Sequence, residues 1–156
     1  MPTSSARSKP ELDSRVVEHL LGYLLAIAEV PTRRAFQRHV GEPFDLRPVE
    51  FTLLMLLHAN AQASPKQIST ALRMPAPHVT TLVDRLATRG LVARERHPHD
   101  GRAVRVALTE AGQTLAERLQ GLSLTMEDSL QTTLSAAERT QLRRLLLKLA
   151  RAPAAD

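Results

Sequence analysis

Between Ala61 and Leu108 the chain carries eight basic residues: Lys66, Arg73, Arg85, Arg89, Arg94, Arg96, Arg102 and Arg105. Three acids oppose them there, Asp84, Glu95 and Asp100. That surplus of five equals the net charge of the whole chain, so the rest sums to zero. Positive charge gathered into one third of a sequence suits a polyanion, above all a phosphate backbone. The plainer alternative is a solvated basic face with no partner. The charge coincides with a run of helices broken by turn residues, which favours phosphate.

Other chemistry finds few residues to work with. The 156 residues include no Cys, which excludes disulfides, thiolate zinc sites and cysteine redox sensing. His97, His99 and Asp100 are metal-ligand types. Pro98 and the turn break the alternation that would put them on one face, so no metal is expected. No Ser-His-Asp arrangement, glycine-rich phosphate loop or paired catalytic carboxylates occur. An enzyme is not expected, nor a cofactor.

The elements that position the basic residues can be read in order. Ser64-Pro65-Lys66-Gln67 is a helix start: serine caps, proline suits the first position, and Gln67 completes a capping box. That helix carries Ile68, Ala71 and Leu72. Met74-Pro75-Ala76-Pro77 follows, then a second helix from His78 to Arg89, stopped by Gly90. Val79, Leu82, Val83 and Leu86 mark its buried face by their spacing. Leu91 to His97 and Ala103 to Leu108 alternate as two strands, around the turn Pro98-His99-Asp100-Gly101. Helix, turn, helix and a basic hairpin form a winged helix-turn-helix, a shape that fits a DNA groove.

Within that unit the residue types divide by role. His78, Thr80 and Thr81 fall in the first turns of the second helix, where such proteins read base edges, and Ala76 and Pro77 just before it are further candidates for DNA contact. Lys66, Arg85, Arg94 and Arg96 are placed to meet phosphates. Arg102 at the hairpin tip suits the narrow, electronegative minor groove, with Asp100 holding its guanidinium.

The flanks are helical and apolar. Leu12 to His39 reads as one long helix with a stripe through Leu12, Val16, Leu20, Leu24 and Ile27, kinked near Pro31. Gly41 to Asp45 breaks the pattern. Arg47-Pro48-Val49-Glu50 opens a helix that is apolar nearly all round and is expected at the centre of the core. A third long helix is expected from Thr109 to Leu130, and a last one opens at the capping box Ser135-Ala136-Ala137-Glu138. Such broad apolar faces need more partner surface than a small domain offers, which points to a second subunit. The domain plan is a loose tail at 1–10, dimerisation helices at 11–45 and 110–151, and a DNA-binding domain at 46–109. The start of the chain has no apolar signal core and no run is long enough for a membrane span, so a cytoplasmic protein without membrane contact is expected.

Several strings, in their order and spacing, resemble the MarR family of bacterial transcription regulators. They are Leu46-Arg47-Pro48-Val49-Glu50-Phe51, Val79 to Leu86, Arg89-Gly90-Leu91-Val92-Ala93-Arg94, Asp100-Gly101-Arg102, and Val106-Ala107-Leu108-Thr109-Glu110-Ala111-Gly112. The likeness spans Leu12 to Ala150. It implies a mainly α fold, with a two-stranded wing and terminal helices intertwined in an obligate homodimer. It further implies double-stranded DNA as partner, at a pseudo-palindromic operator, and repression relieved by a small aromatic or phenolic ligand. That ligand would sit between the dimer helices and the DNA-binding lobe. His19, Tyr23, Phe44, Phe51, Met55 and His58 are the candidates, although all suit a core or a dimer seam as well. Pro75 stands where the family often has a capping serine, and Pro77 follows. The cysteine of oxidant-sensing members is absent. The alternative from another class is a helical homodimer that binds a small molecule or protein without DNA-binding activity.

Overall fold

The computed structural model describes residues 12–97 and 100–152, with the side chains of 96–103 and 131 outside that description. The expected tail at 1–10, the turn residues Pro98 and His99, and the side chains of Arg96, His97, Asp100 and Arg102 therefore lie outside the described residues.

The first helix, α1, runs from Leu21 to Phe36. The expected start at Leu12 does not hold. Residues 15–19 form turns, and Leu20 is extended with no side-chain cap. The stripe there has nothing to pack on, since Leu12 is 95% and Val16 74% exposed. A helical turn without packing is marginal in water. The helix passes through Pro31 without a break, and its irregularity comes later, as a π-helical turn at Gln37–Gly41. Helical backbone continues through α2 (Glu42–Phe44), so Gly41 does not break it. The stop is Asp45, left-handed at φ 48°. A short polar side chain tolerates that conformation.

Next come α3 (Pro48–Asn60), the short strand β1 (Gln62–Ala63) and α4 (Pro65–Leu72). They lead into α5 (Ala76–Thr88), β2 (Val92–His97) and β3 (Asp100–Leu108). As expected, α3 is the centre: Leu53, Leu54 and Leu57 are buried. Ile68 of α4 and Val79, Val83 and Leu86 of α5 close on it, with Val106 of β3 beneath. Phe51 of α3 meets Phe36 of α1 edge to face, ring centres 5.6 Å apart. The sheet is antiparallel in the order β1-β3-β2, so the wing's two strands gain a third at its base. Gln62 pairs with Ala107 and Ala63 with Val106. Two residues are too few to show alternation in a sequence.

The expected helix from 109 to 130 divides into α6 (Glu110–Ser123) and α7 (Asp128–Gln131), before α8 (Ala136–Ala150). Thr109 caps α6: its Oγ1 accepts from Gly112 N–H at 3.0 Å and donates to the Gly90 carbonyl at 2.6 Å. This locks α6 to the turn after α5, where Gly90 takes φ 69°. Gly112 lies against that turn. A Cβ there would stand 1.9 Å from the Leu91 carbonyl oxygen, which is backbone and cannot step aside. Gly112→Ala should therefore cost about 2 kcal/mol as overpacking, a fall in Tm of roughly 5 °C that thermal melts would read. An unchanged Tm would mean that α6 is free to slide off the turn.

The capping box of α8 forms as its sequence implies. Ser135 N–H donates to Glu138 Oε2 at 2.8 Å, and Glu138 N–H to Ser135 Oγ at 3.3 Å. The Ser135 hydroxyl and amide hold the Glu138 carboxyl below its ordinary value. The apolar face of α8 is uncovered: Leu142, Leu145, Leu146, Leu147 and Leu149 keep 40–51% of their surface exposed. Leu21, Leu24, Leu25, Ile27 and Val30 on α1 are likewise uncovered, at 38–60%. Between the two helices lies a groove of about 620 Å³ walled by leucines of both.

Candidate nucleic-acid interface

The α4–α5 unit is held by local bonds that the sequence implies. Ser64 Oγ accepts from Gln67 N–H at 3.2 Å, and Gln67 Oε1 accepts from Ser64 N–H at 2.8 Å. The turn is tied by Ser69, whose hydroxyl donates to the Met74 carbonyl at 2.6 Å. Arg73 takes the left-handed conformation there, at φ 50°. Lys66 is exposed on the first turn of α4.

The second helix begins two residues earlier than expected, at Ala76, with Pro75 as its extended N-cap and no side-chain cap. Proline fits the first turn because its missing N–H would have no helical partner. Pro77 removes another donor, and His78 N–H turns back to the Pro75 carbonyl at 3.0 Å. The start of α5 is therefore poor in amides for a phosphate. Val79, Leu82, Val83 and Leu86 are buried as expected. Ala76, Pro77, His78, Thr80, Thr81 and Asp84 are exposed together on the opposite face.

The arginines divide in a way the sequence does not reveal. Arg85, expected at a phosphate, forms an ion pair with Glu50 of α3, its Nε 2.8 Å from Oε1, although Oε1 accepts no hydrogen bond. Glu50 is 1% exposed, and its other oxygen accepts from the Arg47 N–H at 2.7 Å. A carboxylate so buried needs such partners. Arg89 donates to the carbonyls of Asp45 at 2.6 Å and Phe44 at 2.9 Å, closing the corner between α2 and α3. Arg105 Nη1 donates to Gln67 Oε1 at 2.9 Å, joining β3 to α4. Arg94 pairs with Asp84 at 2.6 Å, joining β2 to α5, but stays 42% exposed and can still reach a phosphate. Four of the eight basic residues thus make contacts within the unit itself. Sequence reasoning missed Glu50, Arg89, Asp84 and Arg105 in these roles. An acid inside the nearly all-apolar α3 was the one visible signal.

The expected ligand residues do not form one wall. His19 precedes the start of α1 and is exposed, so it shares no helical stripe with the half-buried Tyr23. Phe44, Phe51 and Met55 pack against the core. Phe44 lies under the Arg118 guanidinium of α6, 5.2 Å from its ring centre. His58 Nε2 lies 3.3 Å from Gln120 Oε1 of the same helix. Phe51 and His58 thus sit on contacts joining α3 to α1 and α6, and Phe44 on one joining α2 to α6.

Two close helices, a strand-backed hairpin and an exposed second-helix face define a winged helix-turn-helix protein. Residues 44–103 match the MarR family. Over 130 residues the chain is 28% identical to the multiple antibiotic resistance protein MarR of Escherichia coli, covering 83% of this chain and 90% of that one. Its structure is similar to that of the transcriptional repressor CouR bound to a 23-mer DNA duplex, with a TM-score of 0.83 and 33% identity over 91% of this chain and all of that one. It is also similar to BpsR of Bordetella bronchiseptica, in a structure concerned with regulation of DNA binding by 6-hydroxynicotinic acid. There the TM-score is 0.79 and the identity 27%, over 93% of this chain and all of that one. The chain belongs to the MarR family and is a DNA-binding transcription regulator. No helix among the described residues is long and apolar enough to cross a membrane.

Proposed function

We propose that the chain acts as a homodimer that represses transcription from a pseudo-palindromic operator. The observation that carries this is the pair of leucine faces on α1 and α8, left bare in the single chain while the core of the winged unit is closed. The segments 11–45 and 110–151 are the dimerisation region, and 46–109 the DNA-binding domain. A second copy covering both faces would bury roughly 2,000 Å² or more, the range of obligate dimers. Two copies then set two α5 helices about one helical turn of DNA apart, roughly 34 Å.

In this arrangement α5 enters the major groove with Ala76, Pro77, His78, Thr80 and Thr81 towards the bases. Lys66 and Arg94 take phosphates, joined by Arg96 from the wing. Arg102, near the start of β3, reaches the minor groove with Asp100 beside it. A small aromatic acid or phenol releases the DNA by entering beside Phe44, Phe51, Met55 and His58, between the core and the dimer helices. The position of these residues on the contacts to α1 and α6 supports that reading. An occupant there would favour a spacing of the α5 helices that misses the second groove. The regulation of BpsR by 6-hydroxynicotinic acid, an aromatic acid, supports a ligand of that kind.

The test is binding to the promoter DNA beside the protein's own gene, by fluorescence anisotropy at physiological salt. Arg102→Ala should weaken it by about 1–3 kcal/mol while sedimentation still shows the dimer. Equal affinity would make the wing a bystander. No binding at all would leave a helical dimer without DNA activity.

A further inference from the structure

The exposed face of α5 lacks every side chain that binds a purine with two hydrogen bonds. It carries Ala76, Pro77, His78, Thr80, Thr81 and Asp84, and no Arg, Lys, Asn or Gln. Arg85, on the same helix, lies off this face, paired with the buried Glu50 of the core side and only partly exposed. Guanine is most often read by a bidentate arginine or lysine, and adenine by asparagine or glutamine. Neither option is open to the exposed face of this helix.

The two threonines are further restricted. Thr80 Oγ1 donates to the Ala76 carbonyl and Thr81 Oγ1 to the Pro77 carbonyl, each at 3.2 Å. With its hydrogen spent on the helix, each hydroxyl offers the groove only an acceptor. Beside that acceptor stands the threonine methyl. Ala76 adds a methyl and Pro77 a ring, both exposed. The acid on this face, Asp84, is paired with Arg94 at 2.6 Å. In the major groove an A·T pair presents an adenine N6 amino donor and a thymine C5 methyl on one edge. A methyl with an adjacent acceptor is the complement of that edge.

We propose that α5 reads an A·T-rich half-site through thymine methyls, with Thr80 and Thr81 accepting from adenine N6, and without an arginine–guanine anchor. This rests on the DNA-binding reading of α5. His78 is the one side chain on the face able to donate to a purine N7, so at most one such contact per half-site comes from this helix.

The experiment selects binding sites for the full-length protein from a random duplex library. It then replaces each thymine of the recovered half-site with deoxyuridine, which removes the C5 methyl and nothing else. Loss of one buried methyl contact should weaken binding roughly fourfold. Thr80→Ser and Thr81→Ser keep the hydroxyl and remove the methyl. They should lose about the same factor on the thymine site and nothing further on the matching uridine site. A recovered site whose half-site core is G·C, or one indifferent to uridine, overturns the proposal while leaving DNA binding intact. Recovery of no sequence at all overturns the DNA-binding reading and the proposal with it.

Discussion

Leu145→Glu combined with Leu146→Glu converts the protein to a monomer at micromolar concentration. Both side chains are bare in the single chain, at 46% and 40% exposed. They are proposed to be covered by the second copy. A dimer loses four leucines, each worth about 1.5–3 kcal/mol when buried. Less than half of each leucine's surface remains to be covered, so the four together contribute about 3–5 kcal/mol, and the dimerisation constant should weaken by at least about 10²-fold before counting the penalty for a carboxylate in the seam. Sedimentation velocity reads the mass and circular dichroism the retained helix. The core of Leu53, Leu54, Leu57 and Leu86 lies in the winged unit and is untouched, so the monomer should stay folded there. A dimer that survives the double substitution would place the interface elsewhere. Operator affinity should fall with dimerisation, because one protomer meets one half-site.

Arg85→Ala should lower stability by about 3–5 kcal/mol, the usual cost of leaving a buried charge without its partner. The reason is the asymmetry of the pair. Arg85 keeps 36% of its side-chain surface, whereas Glu50 keeps 1% and has no water to turn to. Removing the arginine strands the carboxylate, a loss on the order of 10 °C in Tm. Adding Glu50→Gln removes the stranded charge and should return much of that loss, since an amide oxygen can still accept from the Arg47 N–H. A single variant that melts like the parent, or a double variant no better than the single, would show that the pair carries little. The same substitution should reduce DNA binding as well. Arg85 and Arg89 together hold the C-terminal half of α5 to the start of α3 and to the carbonyls of Phe44 and Asp45. Without them the helix that enters the groove loses its orientation. Arg89 also links the reading helix to the Phe44 corner, where an effector is proposed to act. Coupling between the sites needs such a physical connection, with two arrangements that both ligands bias.

Features that near neighbours along the chain decide could be read from the residues alone. The caps at Ser64, Thr109 and Ser135 are bonds across three residues, and each forms as its residue types require. The buried stripe of α5 follows from helical spacing alone, as does the place of α3 at the centre of the core. The order of elements, the wing and the family were legible for the same reason, since each string is local. The fate of the basic residues was not local. Arg85 and Arg89 look like any phosphate-facing arginine until the fold brings Glu50, Phe44 and Asp45 against them. The strand β1 exists only because Ala107 and Val106 offer it an edge. The helix start at Leu21 rather than Leu12 reflects packing that residues 12–20 lack within one chain. Spacing along a chain fixes which face a side chain takes on its own element. Which charge meets which partner across elements is settled by desolvation, and that exists only once the core has closed.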